Sequence, residues 1–279
     1  MALYAFDGTW NKEDEEAGHK NTNVVRFRDA YTEKTCYYKG IGTRGGKVFK
    51  LIAGATGLGG SIRIWEAEHD LKEQLDGGDK TIDILGFSRG AALALDFANE
   101  IAERDKALRV RFLGLFDTVH SFGVPGIDLN LFHDPDLPNI VDHCFHALAL
   151  DERRDTFRPT RAPKGYEVWF RGAHSDIGGG NNNPGLNAIT LKWMLCKASA
   201  VGLPITPESI TALETELGPD APIKPAKFDP VKDPHRTVES TDRVHYSVTT
   251  RGTGDHNNPP DTLRRETEAD ERDLVRTSR

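Results

Sequence analysis

The chain has 279 residues, with 36 Lys plus Arg against 43 Asp plus Glu and a net charge of −7. That length suits one large α/β domain with a sizeable core, and the acidic balance excludes broad electrostatic attachment to nucleic acid or to an anionic membrane face. No apolar run reaches the roughly 18–20 residues of a membrane span, and Cys36, Cys144 and Cys196 form neither a disulfide framework nor a zinc spacing.

Residues 2–6 are a short apolar run that stops at Asp7-Gly8-Thr9, which predicts a buried strand and a turn. With no basic segment before Asp7, the start of the chain is not read as a secretory signal. The expected location is the cytoplasm, or outside it by a route that needs no signal peptide. Val24, Phe27 and Tyr31 recur at helical spacing between Asn21 and Glu33. Cys36-Tyr37-Tyr38 is β-prone, and residues 40–60 are dense in glycine and are expected to form a long, mobile loop. A helix is predicted over 61–75, ended by Gly77-Gly78.

A strand over 81–85 and an Ala-rich helix over 91–102 follow, then a strand over 110–116. Residues 117–139 are expected to be irregular but apolar, lining an acyl pocket or covering the site. Val141 to Leu150 is predicted as a helix, 167–170 as a strand and 176–185 as a loop. Residues 187–201 are apolar nearly all round and predict a deeply buried helix. Strands alternating with helices imply an α/β fold with a mainly parallel central sheet covered on both faces. The domain is expected to span residues 1–250. Residues 251–279 are expected to form a charged, flexible tail.

Gly86-Phe87-Ser88-Arg89-Gly90 lies directly between the predicted strand and the Ala-rich helix. That context is what a nucleophile elbow requires: a tight turn holds the serine at the carboxyl edge of the sheet and sets the next backbone N–H beside it. A serine nucleophile needs a histidine base and a carboxylate to orient it. Asp117 ends a predicted strand, and His174 follows another, so both belong at the same sheet edge as Ser88. Asp176 is the rival carboxylate; His245, and more weakly His120, are the rival histidines. Asp7-Gly8-Thr9 also follows a strand, and N–H groups of Gly8 or Thr9 could join that of Arg89 in holding an oxyanion.

Other chemistries compete. Asp7-Gly8-Thr9 could open an aspartyl-phosphate site, although Ala5 stands where a second aspartate is normally found. Gly40-Ile41-Gly42-Thr43-Arg44-Gly45 matches a dinucleotide-binding pattern, but no helix opens at its third glycine. A binding protein that keeps an unused elbow is a further alternative. No metal or cofactor is expected.

Five segments together resemble one family: Phe6-Asp7-Gly8-Thr9-Trp10-Asn11, Gly86-Phe87-Ser88-Arg89-Gly90-Ala91, Leu115-Phe116-Asp117-Thr118-Val119, Leu148-Ala149-Leu150-Asp151-Glu152-Arg153-Arg154 and Gly172-Ala173-His174-Ser175-Asp176-Ile177-Gly178-Gly179. It is the uncharacterised α/β-hydrolase domain family that includes the class 1 lipase effectors of type VI secretion. The resemblance spans roughly residues 2–250. It implies an α/β-hydrolase fold and esterase or phospholipase activity of the A1 or A2 kind. It also implies Ser88 as nucleophile, Asp117 as orienting acid and His174 as base. The partners it implies are a lipid ester, transient membrane contact without a spanning segment, and a secretion-system or immunity protein.

Overall fold

The computed structural model describes residues 1–9, 11–14, 20–41, 58–119, 137–154, 157–223, 235–251 and 256–273. Along β1 (Ala2–Phe6) side chains alternate between two buried faces. Leu3 and Ala5 point into one core with Phe27 and Phe112, while Tyr4 and Phe6 point into another with Phe97. A strand buried on both faces must carry apolar residues at every position, as this one does.

The remaining elements are α1 (Asn23–Ala30), β2 (Lys34–Tyr38), α2 (Leu58–Asp76), β3 (Thr81–Phe87), α3 (Arg89–Arg104), β4 (Arg109–Phe116), β5 (Val141–Ala149) and β6 (Tyr166–Phe170). They continue with α4 (His174–Gly178), α5 (Pro184–Ala200), α6 (Pro207–Leu213), β7 (Arg243–His245), β8 (Arg264–Glu266) and α7 (Glu268–Arg272). The eight strands form one sheet in the order β2-β1-β3-β4-β5-β6-β7-β8. Every neighbouring pair is parallel. The expected α/β architecture is therefore present. Helices α1 and α5 lie over one face, and α2 and α3 over the other.

The strand order reverses at β1, because β2 lies on one side of it and β3 on the other. Chain segments leave β1 and β3 toward opposite faces, and in open α/β sheets the carboxyl ends of such a strand pair are where ligands bind. Asp7 follows β1 there and Ser88 follows β3. Two glycines let the turns approach. A Cβ on Gly90 would stand 2.3 Å from the Phe6 carbonyl oxygen and 2.5 Å from that of Asp7. One on Gly86 would meet Ala91 Cα at 2.5 Å.

Several expectations are corrected. Val141–Ala149 is strand β5, not a helix; it pairs with β4 and β6 in the middle of the sheet. Its buried polar residue is satisfied there, because His146 meets Glu167 on β6 at 2.9 Å. Residues 174–178 form a short helix where a loop is expected from 176. The flexible tail expected from residue 251 instead contains β8 and α7, docked by charge. Lys197, fully buried in α5, pairs with Glu266 at 2.7 Å, and Lys192 pairs with Glu271 at 2.9 Å. Most of the glycine-rich segment 40–60 and most of 117–139, including His120, lie outside the described residues.

Candidate active site

Ser88 follows the last residue of β3 and precedes the first of α3, with φ 59 and ψ −125. A serine in this region is strained by roughly 1–3 kcal/mol, and such strain persists only where the surroundings over-determine it. The surroundings do so here: Ser88 N–H donates to the Phe116 carbonyl at 2.9 Å, and Ser88 O accepts from Ala91 N–H at 3.1 Å. Asp117, one residue beyond β4, also has positive φ, at 41. Its N–H donates to the Ala147 carbonyl at 2.8 Å.

His174 opens α4 four residues after the end of β6, so the connections that follow the parallel strands β3, β4 and β6 bring Ser88, Asp117 and His174 to one edge. Ser88 Oγ lies 2.8 Å from His174 Nε2, and Asp117 Oδ2 lies 2.7 Å from His174 Nδ1. An ionised carboxylate only accepts, so Nδ1 carries the proton and Nε2 accepts from the serine hydroxyl. The rings of Phe87 and Phe157 each lie 4.8 Å, centroid to centroid, from the imidazole. They limit its tilt. All three polar residues are buried.

Asp117 has a second partner that the sequence does not advertise. Arg236 Nη1 donates to Asp117 Oδ1 at 2.7 Å and Nη2 to Oδ2 at 3.2 Å. Ala149 N–H donates to Oδ1 at 2.9 Å. Burial alone would raise the Asp117 carboxyl, but Arg236 and His174 outweigh it and hold it well below the usual carboxylate range. Arg236 is anchored in turn on the carbonyls of Ala149 and Phe157.

The rival residues are engaged elsewhere. Asp176 Oδ1 accepts from Asn181 and Asn183, both at 2.7 Å, and Oδ2 accepts from Ala173 N–H at 3.0 Å. It organises the turn under α4. His245 sits on β7 with Nε2 2.9 Å from Glu271 Oε1 and Nδ1 2.7 Å from Ser247 Oγ.

Asp7 is 2% exposed. Its Oδ2 accepts from Tyr37 at 2.6 Å and Thr22 at 3.0 Å, and its Oδ1 from Gly8 N–H at 2.7 Å. Burial pushes its carboxyl up to about 6 against the pull of these bonds. Of the two turn amides considered for an oxyanion, that of Gly8 is thus engaged within the turn. The Thr9 hydroxyl is buried with no hydrogen-bond partner among the described residues.

Sequence reading missed Arg236, Glu152 and Phe157. Glu152, Arg153 and Arg154 lie in the family-like segment Leu148–Arg154, which by itself assigns them no role; Arg236 gives no signal in the sequence. For metals, His69, Asp70 and Glu73 bring ligating atoms within 4.8 Å of one another, at the surface of α2. Among the described residues, no helix is long and apolar enough to cross a membrane.

A parallel sheet with helices on both faces, and a serine on the tight turn between strand and helix, define an α/β-hydrolase-like protein. The chain belongs to the family described as the T6SS phospholipase effector Tle1-like catalytic domain, whose model matches residues 3–103 and 96–197. It is 38% identical over 68 residues to an uncharacterized protein of Saccharomyces cerevisiae, covering 24% of this chain and 10% of the yeast protein. A crystal structure of an uncharacterized protein from Pseudomonas aeruginosa is similar with TM-score 0.48 and 20% identity, over 77% of this chain and 48% of that one. The Tle1 effector bound to the VgrG spike of the type 6 secretion system is similar with TM-score 0.46 and 22% identity, over 66% and 51%. The chain thus spans about half the length of those solved chains and a tenth of the yeast protein.

Proposed function

We propose that the protein is a serine esterase of the lipase class that cleaves carboxylic esters of lipid type, phospholipids among them, through an acyl-enzyme. The reading rests on one observation above all: an unbroken chain of hydrogen bonds, 2.8 Å from Ser88 Oγ to His174 and 2.7 Å from His174 to Asp117, beginning at a strained serine. Membership of a phospholipase catalytic-domain family supports the substrate class.

In this mechanism His174 Nε2 takes the Ser88 proton as Oγ bonds to the ester carbonyl carbon. Asp117 keeps the proton on Nδ1 and stabilises the imidazolium. The tetrahedral oxyanion rests on backbone N–H groups of Arg89 and Thr9. Collapse breaks the carbon–oxygen bond to the leaving alcohol, which takes the proton from His174. Water then loses a proton to His174 as it attacks the acyl group, and collapse breaks the bond to Ser88 Oγ, which takes that proton back from His174 as the carboxylic acid departs. The type VI family supports a secretion-system component as a partner, and the proposal includes delivery by that route. Phospholipase A1- or A2-type cleavage belongs to the same proposal.

The test is steady-state hydrolysis of short- and medium-chain esters by the parent and by Ser88→Ala. The expected loss is on the order of 10³-fold or more in kcat. Equal rates in the two proteins, or no turnover by a folded parent at any chain length, would overturn the proposal.

A further inference from the structure

Beside the Ser88–His174–Asp117 chain lies a cavity of about 450 Å³. Its wall carries five arginines, Arg153, Arg154, Arg158, Arg161 and Arg236, against one carboxylate, Glu152. With Glu167, Asp242 and Asp117 paired to these arginines as well, five guanidiniums meet four carboxylates, a small local surplus of positive charge in a chain of net charge −7. The cavity abuts the site at several points. Arg236 bonds Asp117, Glu152 Oε2 accepts the His174 N–H at 3.1 Å, and the Phe157 ring lies 4.8 Å from the imidazole.

Three of the guanidiniums are braced by carboxylates. Glu152 takes Arg154 through Nε at 2.9 Å and Nη2 at 2.8 Å, and the Arg154 plane lies 3.4 Å from the Phe157 ring centre. Glu167 and Asp242 take Arg161 at 2.7 and 2.6 Å. Asp117 takes Arg236. Bracing fixes the forks: of five N–H donors per guanidinium, the carboxylates engage two on Arg154 and three on Arg161, while the four Nη N–H of Arg236 go to Asp117, Ala149 and Phe157. A concave wall of fixed guanidinium forks matches the oxygens of a phosphate better than any other common biological group. Ester hydrolysis itself uses none of these arginines on the reacting atoms, so the Glu152-Arg153-Arg154 motif needs another role.

We propose that this cavity binds a phosphate-class anion, which for a lipid substrate is the head-group phosphate of the ester presented to Ser88. The link to the ester rests on the hydrolase reading; the anion site does not.

The experiment uses the full chain carrying Ser88→Ala, so that bound ester persists. Calorimetric titration compares inorganic phosphate, a soluble short-chain phosphatidylcholine and a diacylglycerol of the same acyl length. The phosphatidylcholine is expected to bind at least tenfold more tightly than the diacylglycerol, with phosphate competing. Arg153→Gln with Arg158→Gln, at half-buried and exposed positions, is expected to abolish the difference in a protein of unchanged circular dichroism. Arg158→Gln alone serves if the pair does not fold. Arginine-dependent phosphate binding with equal affinity for the two lipids keeps the anion site and assigns it to free phosphate. No phosphate binding together with equal affinity for the two lipids overturns the inference, as does discrimination that survives loss of the arginines. Neutral-ester turnover by the parent judges the hydrolase reading separately. An active parent without anion preference removes this inference alone, and an inactive parent that binds phosphate removes only the other.

Discussion

Arg236 grips both oxygens of the Asp117 carboxylate, with Nη1–Oδ1 at 2.7 Å and Nη2–Oδ2 at 3.2 Å, and both groups are buried. The two residues are 119 positions apart in sequence. The guanidinium both anchors the acid and offsets its charge. Asp117 is held ionised, so its contribution to stability is complete above about pH 4 and is lost as the pH falls toward its depressed folded value. Replacing Arg236 by Gln leaves a buried charge without its main partner, a change that typically costs about 3–5 kcal/mol. With the guanidinium gone, the carboxylate acts undiluted on the imidazole. The acid limb of the kcat/KM profile is expected to move to higher pH. A purely structural role would lower the melting temperature and leave the limb where it was.

Asp117→Asn keeps the shape but replaces an acceptor with a group that can donate to Nδ1. The imidazole then presents the wrong tautomer to Ser88. On the proposed mechanism kcat falls on the order of 10³- to 10⁴-fold. Ester hydrolysis measured beside a thermal melt separates this loss from unfolding, and near-parent rates in the folded variant would count against the role given to Asp117.

Asp7 gives a pH dependence of opposite sign. Its folded pKa of about 6 lies above the unfolded value of 3.8, so its contribution is present below about pH 4 and is lost as the pH rises through 6. The stability difference, Asp7→Asn minus parent, should therefore grow with pH between 4 and 7, by on the order of 3 kcal/mol, whatever its absolute sign. Denaturant titrations at several pH values measure it. A flat or falling difference would contradict the burial of this carboxyl. A magnesium-dependent phosphohydrolase built on Asp7 would also lose all turnover in the variant and in chelator.

His245 tests the choice of base. It stacks on Phe170 at 4.5 Å and bonds Glu271. His245→Gln is expected to cost about 1–3 kcal/mol of stability. kcat should stay within about twofold, because the residue touches nothing that reacts. A loss of turnover as large as that of His174→Ala would reassign the base.

Gly90→Ala probes the close approach of the turn after β3 to the end of β1. The new Cβ would stand 2.3 Å from a backbone carbonyl oxygen that cannot swing aside. Overpacking typically costs about 1–3 kcal/mol, and here it also pushes the turn at Ser88 away from β1. Melting temperature and ester turnover should fall together; an unchanged melt would contradict the close approach.

Local pattern carried much of the reading. Ala2–Phe6 is an apolar run and Thr81–Phe87 is one broken only by Asp83, each followed by turn-forming residues, and the glycines around Ser88 mark a turn that other residues would clash in. Those features are written within a few positions of one another. What stayed hidden depended on partners far away. Val141–Ala149 carries Asp142, His143 and His146, which do not suit a central strand until Glu167 on β6 answers His146. The docking of the last strand had a cue that composition obscured. Lys192 and Lys197 lie within an apolar helix, and a buried lysine needs a counter-ion. Glu266 and Glu271 supply it from the segment whose charge suggested a tail. Arg236 lay in a stretch of prolines and charges with nothing to set it apart.

The role of Ser88 is decided by treating the folded protein with a fluorophosphonate and locating the adduct by peptide mass mapping. One adduct is expected, on Ser88, formed slowly or not at all in His174→Ala. An adduct confined to another residue, or none on a parent that hydrolyses esters, would contradict it.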